Sequence, residues 1–113
     1  MMVSCTGRHL REIPAGIPQK TASLYLDRNP DIKISKTELS SFPKLQVLCL
    51  AGNNINYFHL GFFDGLSKLA YLDLSENNLT SIEPGLFSKL TQLQELDVAK
   101  NSLKGFIRIR LLV

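Results

Sequence analysis

Four asparagines, Asn29, Asn53, Asn77 and Asn101, stand at a constant spacing of 24 positions. Other positions keep step with them. Three residues before each asparagine stand Leu26, Leu50, Leu74 and Val98, and five before stand Leu24, Leu48, Leu72 and Leu96. Eight before come Thr21, Leu45, Leu69 and Leu93; five after come Ile34, Phe58, Ile82 and Phe106; ten after come Leu39, Phe63 and Phe87. Self-similarity in so many registers at one fixed period marks a stacked, solenoid architecture. Such a chain has no single central core, because each unit buries its apolar side chains against its neighbours.

Within a unit, apolar and polar residues alternate over the last few positions before the asparagine, the period of a short strand. Parallel pairing of equivalent strands stacks the leucines into an interior column, each worth roughly 1.5–3 kcal/mol when a neighbour covers it. The asparagine falls where the chain leaves the strand and turns. Its amide can both accept from and donate to backbone groups that the turn would otherwise leave unpaired inside. Asn29, Asn53, Asn77 and Asn101 are therefore expected to form a structural column. The first unit departs from the pattern, since Asp31 occupies an apolar position and Pro30 precedes it. Ile32 or Ile34 is expected to take over the burial through a local bulge, in the least regular turn of the array.

The segments LQVLCLAGNNI, LAYLDLSENNL and LQELDVAKNSL, with the weaker TASLYLDRNPD, match L-x-x-L-x-L-x-x-N-x-L. That pattern is similar to the leucine-rich repeat. The resemblance implies a right-handed solenoid with a parallel β-sheet on its concave side and an irregular or short-helical convex side. Residues 1–20 read as a partial amino-terminal cap, 21–103 as the repeats, and 104–113 as a truncated or non-repeat tail. The run VSCTGRHLREIPAGIP resembles the second half of the amino-terminal cap of extracellular leucine-rich repeat proteins. Toll-like receptors, variable lymphocyte receptors and small leucine-rich proteoglycans belong to that group. In the family, the cysteine matching Cys5 pairs with one just upstream, and such arrays close with a cysteine-rich cap. Neither partner is visible in this sequence, so an incomplete piece of a larger ectodomain is the expectation.

Counting back one full repeat from Asn29 places the cap cysteine Cys5 in the asparagine column and Leu10 in the column of Ile34 and Phe58. Cys49 lies between Leu48 and Leu50, which reads as outward-facing. A bond between an interior Cys5 and an outward Cys49 is geometrically unfavourable.

The strand residues between the leucines face away from the core and stack into a small concave sheet available to a partner. One row holds Ser23, Val47, Tyr71 and Glu95, and the next holds Tyr25, Cys49, Asp73 and Asp97. Asp27, Ala51, Ser75 and Ala99 follow, flanked by Arg28, Gly52, Glu76 and Lys100. Tyr25, Asp27, Val47, Tyr71, Asp73, Glu76, Glu95 and Asp97 form the candidate partner-binding set. Tyrosines give contact area at low entropy cost, and the carboxylates select a basic partner. Asn78-Leu79-Thr80 is an N-glycosylation sequon.

Other chemistries have little support. His9 and His59 have no serine or cysteine placed to partner them, and Asp73 and Asp97 lack a water-excluding pocket, so no catalytic residues are assigned. The two cysteines, Cys5 and Cys49, match no zinc spacing; no metal or cofactor is expected. Net charge is +3 with no nucleic-acid-binding motif, so a nucleic-acid partner is not expected. No apolar run approaches the ~20 residues that span a bilayer, so membrane attachment would come only through regions outside this sequence. The resemblance implies a protein ligand or co-receptor and an extracellular or cell-surface setting as part of a longer chain. A complete chain without a signal sequence would instead point to the cytoplasm. The rival readings are a matrix proteoglycan-like binder of collagen or growth factors and an intracellular leucine-rich scaffold.

Overall fold

The computed structural model describes residues 1–103. Phe106 and the expected tail 104–113 lie outside the described residues. Five three-residue strands, β1 (Met2–Ser4), β2 (Ser23–Tyr25), β3 (Val47–Cys49), β4 (Tyr71–Asp73) and β5 (Glu95–Asp97), form one sheet in chain order. Every pairing is parallel. The register from β2 to β5 is the sequence period itself: Leu24 sits beside Leu48, Leu48 beside Leu72, and Leu72 beside Leu96. The molecule is a solenoid of extents 39 × 28 × 20 Å.

The interior is built of the columns read from the sequence. Leu24, Leu48 and Leu72 are fully buried, as are Leu26, Leu50 and Leu74. Thr21, Leu45, Leu69 and Leu93 line the strand entries, where Thr21 satisfies its hydroxyl by donating to the Pro18 carbonyl at 2.6 Å. On the return side Phe42, Leu66 and Leu90 close the core, with Phe63 stacked between Phe58, Phe62 and Phe87. That side is made mostly of turns, with one short helix, α1 (Lys36–Leu39), in the first unit. Ser35 caps α1 in a capping box: its hydroxyl accepts from the Glu38 N–H while the Glu38 carboxylate accepts from the Ser35 N–H.

The first segment, residues 1–20, does not keep the repeat period. Strand β1 pairs Met2 with Ser23, Val3 with Leu24 and Ser4 with Tyr25, a displacement three short of the full repeat. Cys5 therefore continues the column of Leu26, Leu50 and Leu74, and its N–H donates to the Tyr25 carbonyl as that of Leu26 does to Cys49. The asparagine position of this first segment belongs to Arg8, whose N–H donates to Asn29 Oδ1 just as the Asn29 N–H donates to Asn53 Oδ1. Leu10 likewise leaves the Ile34 and Phe58 column: its N–H donates to Asn29 Oδ1, the place taken by Ile55 against Asn77 and by Leu79 against Asn101. The path from β1 to β2 is three residues shorter than a repeat, so counting at the repeat period overshoots. Gly7 marks the true register. It shares a left-handed backbone with Arg28, Gly52, Glu76 and Lys100, the residues just ahead of each asparagine.

Candidate recognition surface on the parallel sheet

The exposed face of the sheet is positioned by the asparagine turns beneath it. Asn77 shows the full arrangement. Its Oδ1 accepts from the N–H groups of Asn53 and Ile55 at 2.9 and 3.0 Å, and its Nδ2 faces the carbonyls of Leu50, Leu74 and Ser75 at 3.0–3.1 Å. Asn29 repeats this with Arg8, Leu10, Cys5, Leu26 and Asp27. Asn101 donates to Leu74, Val98 and Ala99. Each amide thus ties two units together and satisfies backbone groups closed off from water.

Asn53 is the exception. Its Oδ1 accepts from the Asn29 N–H, yet its buried Nδ2 has no hydrogen-bond partner. The neighbouring unit explains part of the difference. After Pro30 the chain folds back so that the Ile32 N–H donates to the Asn29 carbonyl at 3.0 Å, and no Asp31 N–H reaches Asn53 as Leu10 and Ile55 reach their asparagines. Ile32 is the residue that takes over the burial, with Asp31 in solvent and Ile34 half-buried. A cleft of about 220 Å³ opens beside this fault, lined by Ile32, Ile34, Ile55, Phe58 and Phe62.

Above the turns, the predicted rows are in register: Ser23, Val47, Tyr71 and Glu95 in one, Tyr25, Cys49, Asp73 and Asp97 in the next. Tyr25, Val47 and Tyr71 are half-buried and form an apolar strip. Asp73 and Asp97 are direct neighbours across β4 and β5. Each turns one oxygen to the backbone N–H two residues on, Ser75 and Ala99 at 2.9 Å, which fixes the carboxylate orientation. Asp27 stands apart and accepts from the Thr6 hydroxyl at 2.8 Å. Glu76 does not join the acidic group as an unpaired charge. It lies between Arg28 and Lys100 at 3.9 and 3.7 Å, exposed contacts that contribute little to stability.

Cys49 is corrected. It lies on the sheet face as its strand position requires, but it is buried rather than outward-facing in solvent. Its Sγ donates to Asp73 Oδ2 at 3.7 Å. Burial pushes the thiol up to about 12, with the negative charges of Asp27 and Asp73 adding to the effect. Burial also raises the Tyr71 phenol, helped by Asp73 and Asp97. Cys5 and Cys49 are both free thiols. Among the described residues no group of three or more histidine, cysteine or acidic side chains is placed to hold a metal ion.

Residues 43–103 match the family profile described as leucine rich repeat. The chain belongs to the leucine-rich repeat family. Its repeats are similar to those of leucine-rich repeat-containing protein 3 from Danio rerio, 39% identical over 67 residues, which is 59% of this chain and 25% of that protein. The human leucine-rich repeat-containing protein 3B is 35% identical over 66 residues, 58% of this chain and 26% of the relative. The matched repeats thus span about a quarter of the length of these relatives. Among solved structures, the leucine-rich repeat domain of APL1B has a TM-score of 0.75 at 25% identity, covering 93% of this chain and 32% of that one. TLR13, crystallised in complex with ssRNA13, has a TM-score of 0.70 at 41% identity, covering 76% of this chain and 12% of that one. A leucine-rich repeat domain is a protein–protein interaction module, and no helix among the described residues is long and apolar enough to cross a membrane.

Proposed function

We propose that the sheet face binds a protein partner carrying basic side chains, and that the chain serves as recognition module within a cell-surface or extracellular receptor. The supporting observation is the pairing of Asp73 with Asp97 beside the half-buried Tyr25, Val47 and Tyr71. Rigid aromatic surface next to oriented carboxylates suits an Arg- or Lys-bearing segment: the rings supply contact area and the charges supply selectivity and on-rate. Glu95 extends the acidic side of this patch, whereas Asp27 and Glu76, each held by its own contacts, serve its margin.

The test is a screen of displayed extracellular proteins with the chain as bait, followed by titration of each binder against a Tyr71→Ala, Asp73→Ala variant. A loss of roughly 10- to 100-fold in affinity is expected for a site built on these anchors. Unchanged affinity would move the site elsewhere. The extracellular setting has its own readout at Asn78, which is exposed, with its amide against Asn54 on the neighbouring turn. Expression in secretory cells should give a species whose mass falls on glycosidase treatment and which is missing in Asn78→Gln.

A further inference from the structure

The entry edge of the sheet carries a row of its own. Lys20, Lys44 and Lys68 each directly precede the buried residue that opens a strand segment, Thr21, Leu45 and Leu69. The same turn places all three: the N–H of Thr21 donates to Pro18, that of Leu45 to Phe42, and that of Leu69 to Leu66, at 3.1–3.2 Å. Equivalent positions on paired parallel strands lie about 4.8 Å apart, so three exposed ammonium groups stand in file along one rim. Like charges at that spacing repel, and no ion pair among the described residues involves them; the two pairs present there sit at the far ends of the strands, around Glu76. The flanking residues Gln19, Pro43, Ser67, Gln46, Ala22 and Ala70 are neutral. The acidic residues Asp73 and Asp97 lie at the strand exits, roughly 15 Å away along the strands, with Asp27 two positions farther out; Glu95 opens β5, on the strand beyond the last of the three lysines.

From this polarity we propose that the lysine row is a second binding site, for a linear sulfated polysaccharide running across the strand entries. An extended polyanion matches a straight file of point charges, and the acidic strand exits confine it to this rim. The neutral Gln and Ser side chains between the lysines offer hydrogen bonds to sulfate and hydroxyl oxygens. Single-stranded nucleic acid fits less well, because its sequence-tolerant binding uses aromatic platforms and no exposed aromatic lies within two residues of any of the three lysines. An anionic membrane surface fits less well, because exposed apolar side chains adjoin only the Lys20 end of the row, where Met1 and Met2 lie beside Thr21 and Ser23.

The test measures binding of a fluorescent heparin-derived octasaccharide to the full chain over a range of salt concentrations. The comparison variants are Lys20→Gln, Lys44→Gln, Lys68→Gln and, with the same loss of charge, Lys104→Gln, Arg108→Gln, Arg110→Gln. The lysine-row variant should lose affinity at least about 10-fold, and its log–log salt slope should become shallower by about 2, as expected for three lost anion contacts on a flexible chain. The charge-matched variant should retain most of the affinity. Equal losses in both variants would reduce the effect to net charge and overturn the proposal. So would tighter binding of a charge-matched RNA oligomer, or of phosphatidylserine vesicles, than of the octasaccharide. Unaltered protein-partner binding by the lysine-row variant would separate this site from the sheet face.

Discussion

Asn53 and Asn77 hold the same motif position, but the structure gives them unequal work. Replacing Asn77 by alanine removes five hydrogen bonds and strands the buried N–H of Asn53 along with the carbonyl of Leu50, while the Leu74 carbonyl keeps the Asn101 amide. The expected cost is about 3–5 kcal/mol. Asn53→Ala removes only the bond to the Asn29 N–H and eliminates an unsatisfied amide, so it should cost at least about 1 kcal/mol less. Urea unfolding of the two variants decides this, and equal losses would show that the two amides are equivalent. Cys49 gives a second residue-scale outcome. Its folded thiol titrates near 12 against an ordinary 9.0, so the folded state holds this proton longer than the unfolded chain. The contribution to stability is complete below about pH 9 and is lost as pH rises towards 12. In a Cys5→Ser background, alkylation of the native protein at pH 8 should be at least about 100-fold slower than in denaturant. Comparable rates would mean that the thiol is neither buried nor held protonated.

At the scale of the element, the repeats were legible because the period-two leucines and the even spacing of the asparagines both stand in the sequence, and β2 to β5 follow that register without a slip. The first segment, residues 1–20, was legible as departing from the repeats but not in its register. Its loop is three residues shorter, and the cue that fixes the alignment is Gly7, a left-handed residue equivalent to Arg28 rather than to Asp31, a full repeat away. The burial of Cys49 was not legible, because alternation assigns a face and not the degree to which its register partners Tyr25 and Asp73 on the adjoining strands shield it. In the first turn, the bulge after Pro30 moves burial from position 31 to position 32. Ile32→Ala should therefore cost about 2–4 kcal/mol, while Asp31→Ala should stay within about 0.5 kcal/mol. Thermal unfolding of the pair checks this; the opposite order would restore the regular register.

Across the whole molecule, each strand pairs only with the strands before and after it in the chain. Stability is then close to a sum over units and the joints between them. A variant carrying a second copy of residues 50–73, which contain Leu50, Asn53, Phe63 and Leu72, should fold and should unfold with a urea m-value roughly a fifth to a quarter larger. An unchanged m-value would mean that the added unit stays outside the cooperative structure. The weak joint is the one between the first two units, where Asn53 lacks its donor contacts.

Serial pairing also makes the length of the array adjustable by gene duplication. A unit spliced in between β3 and β4 would carry Tyr71 and Asp73 away from Tyr25 by one strand width, about 4.8 Å, while every joint kept its geometry. Ligand choice could thereby be retuned by changing the gaps between anchors, with the anchors themselves untouched.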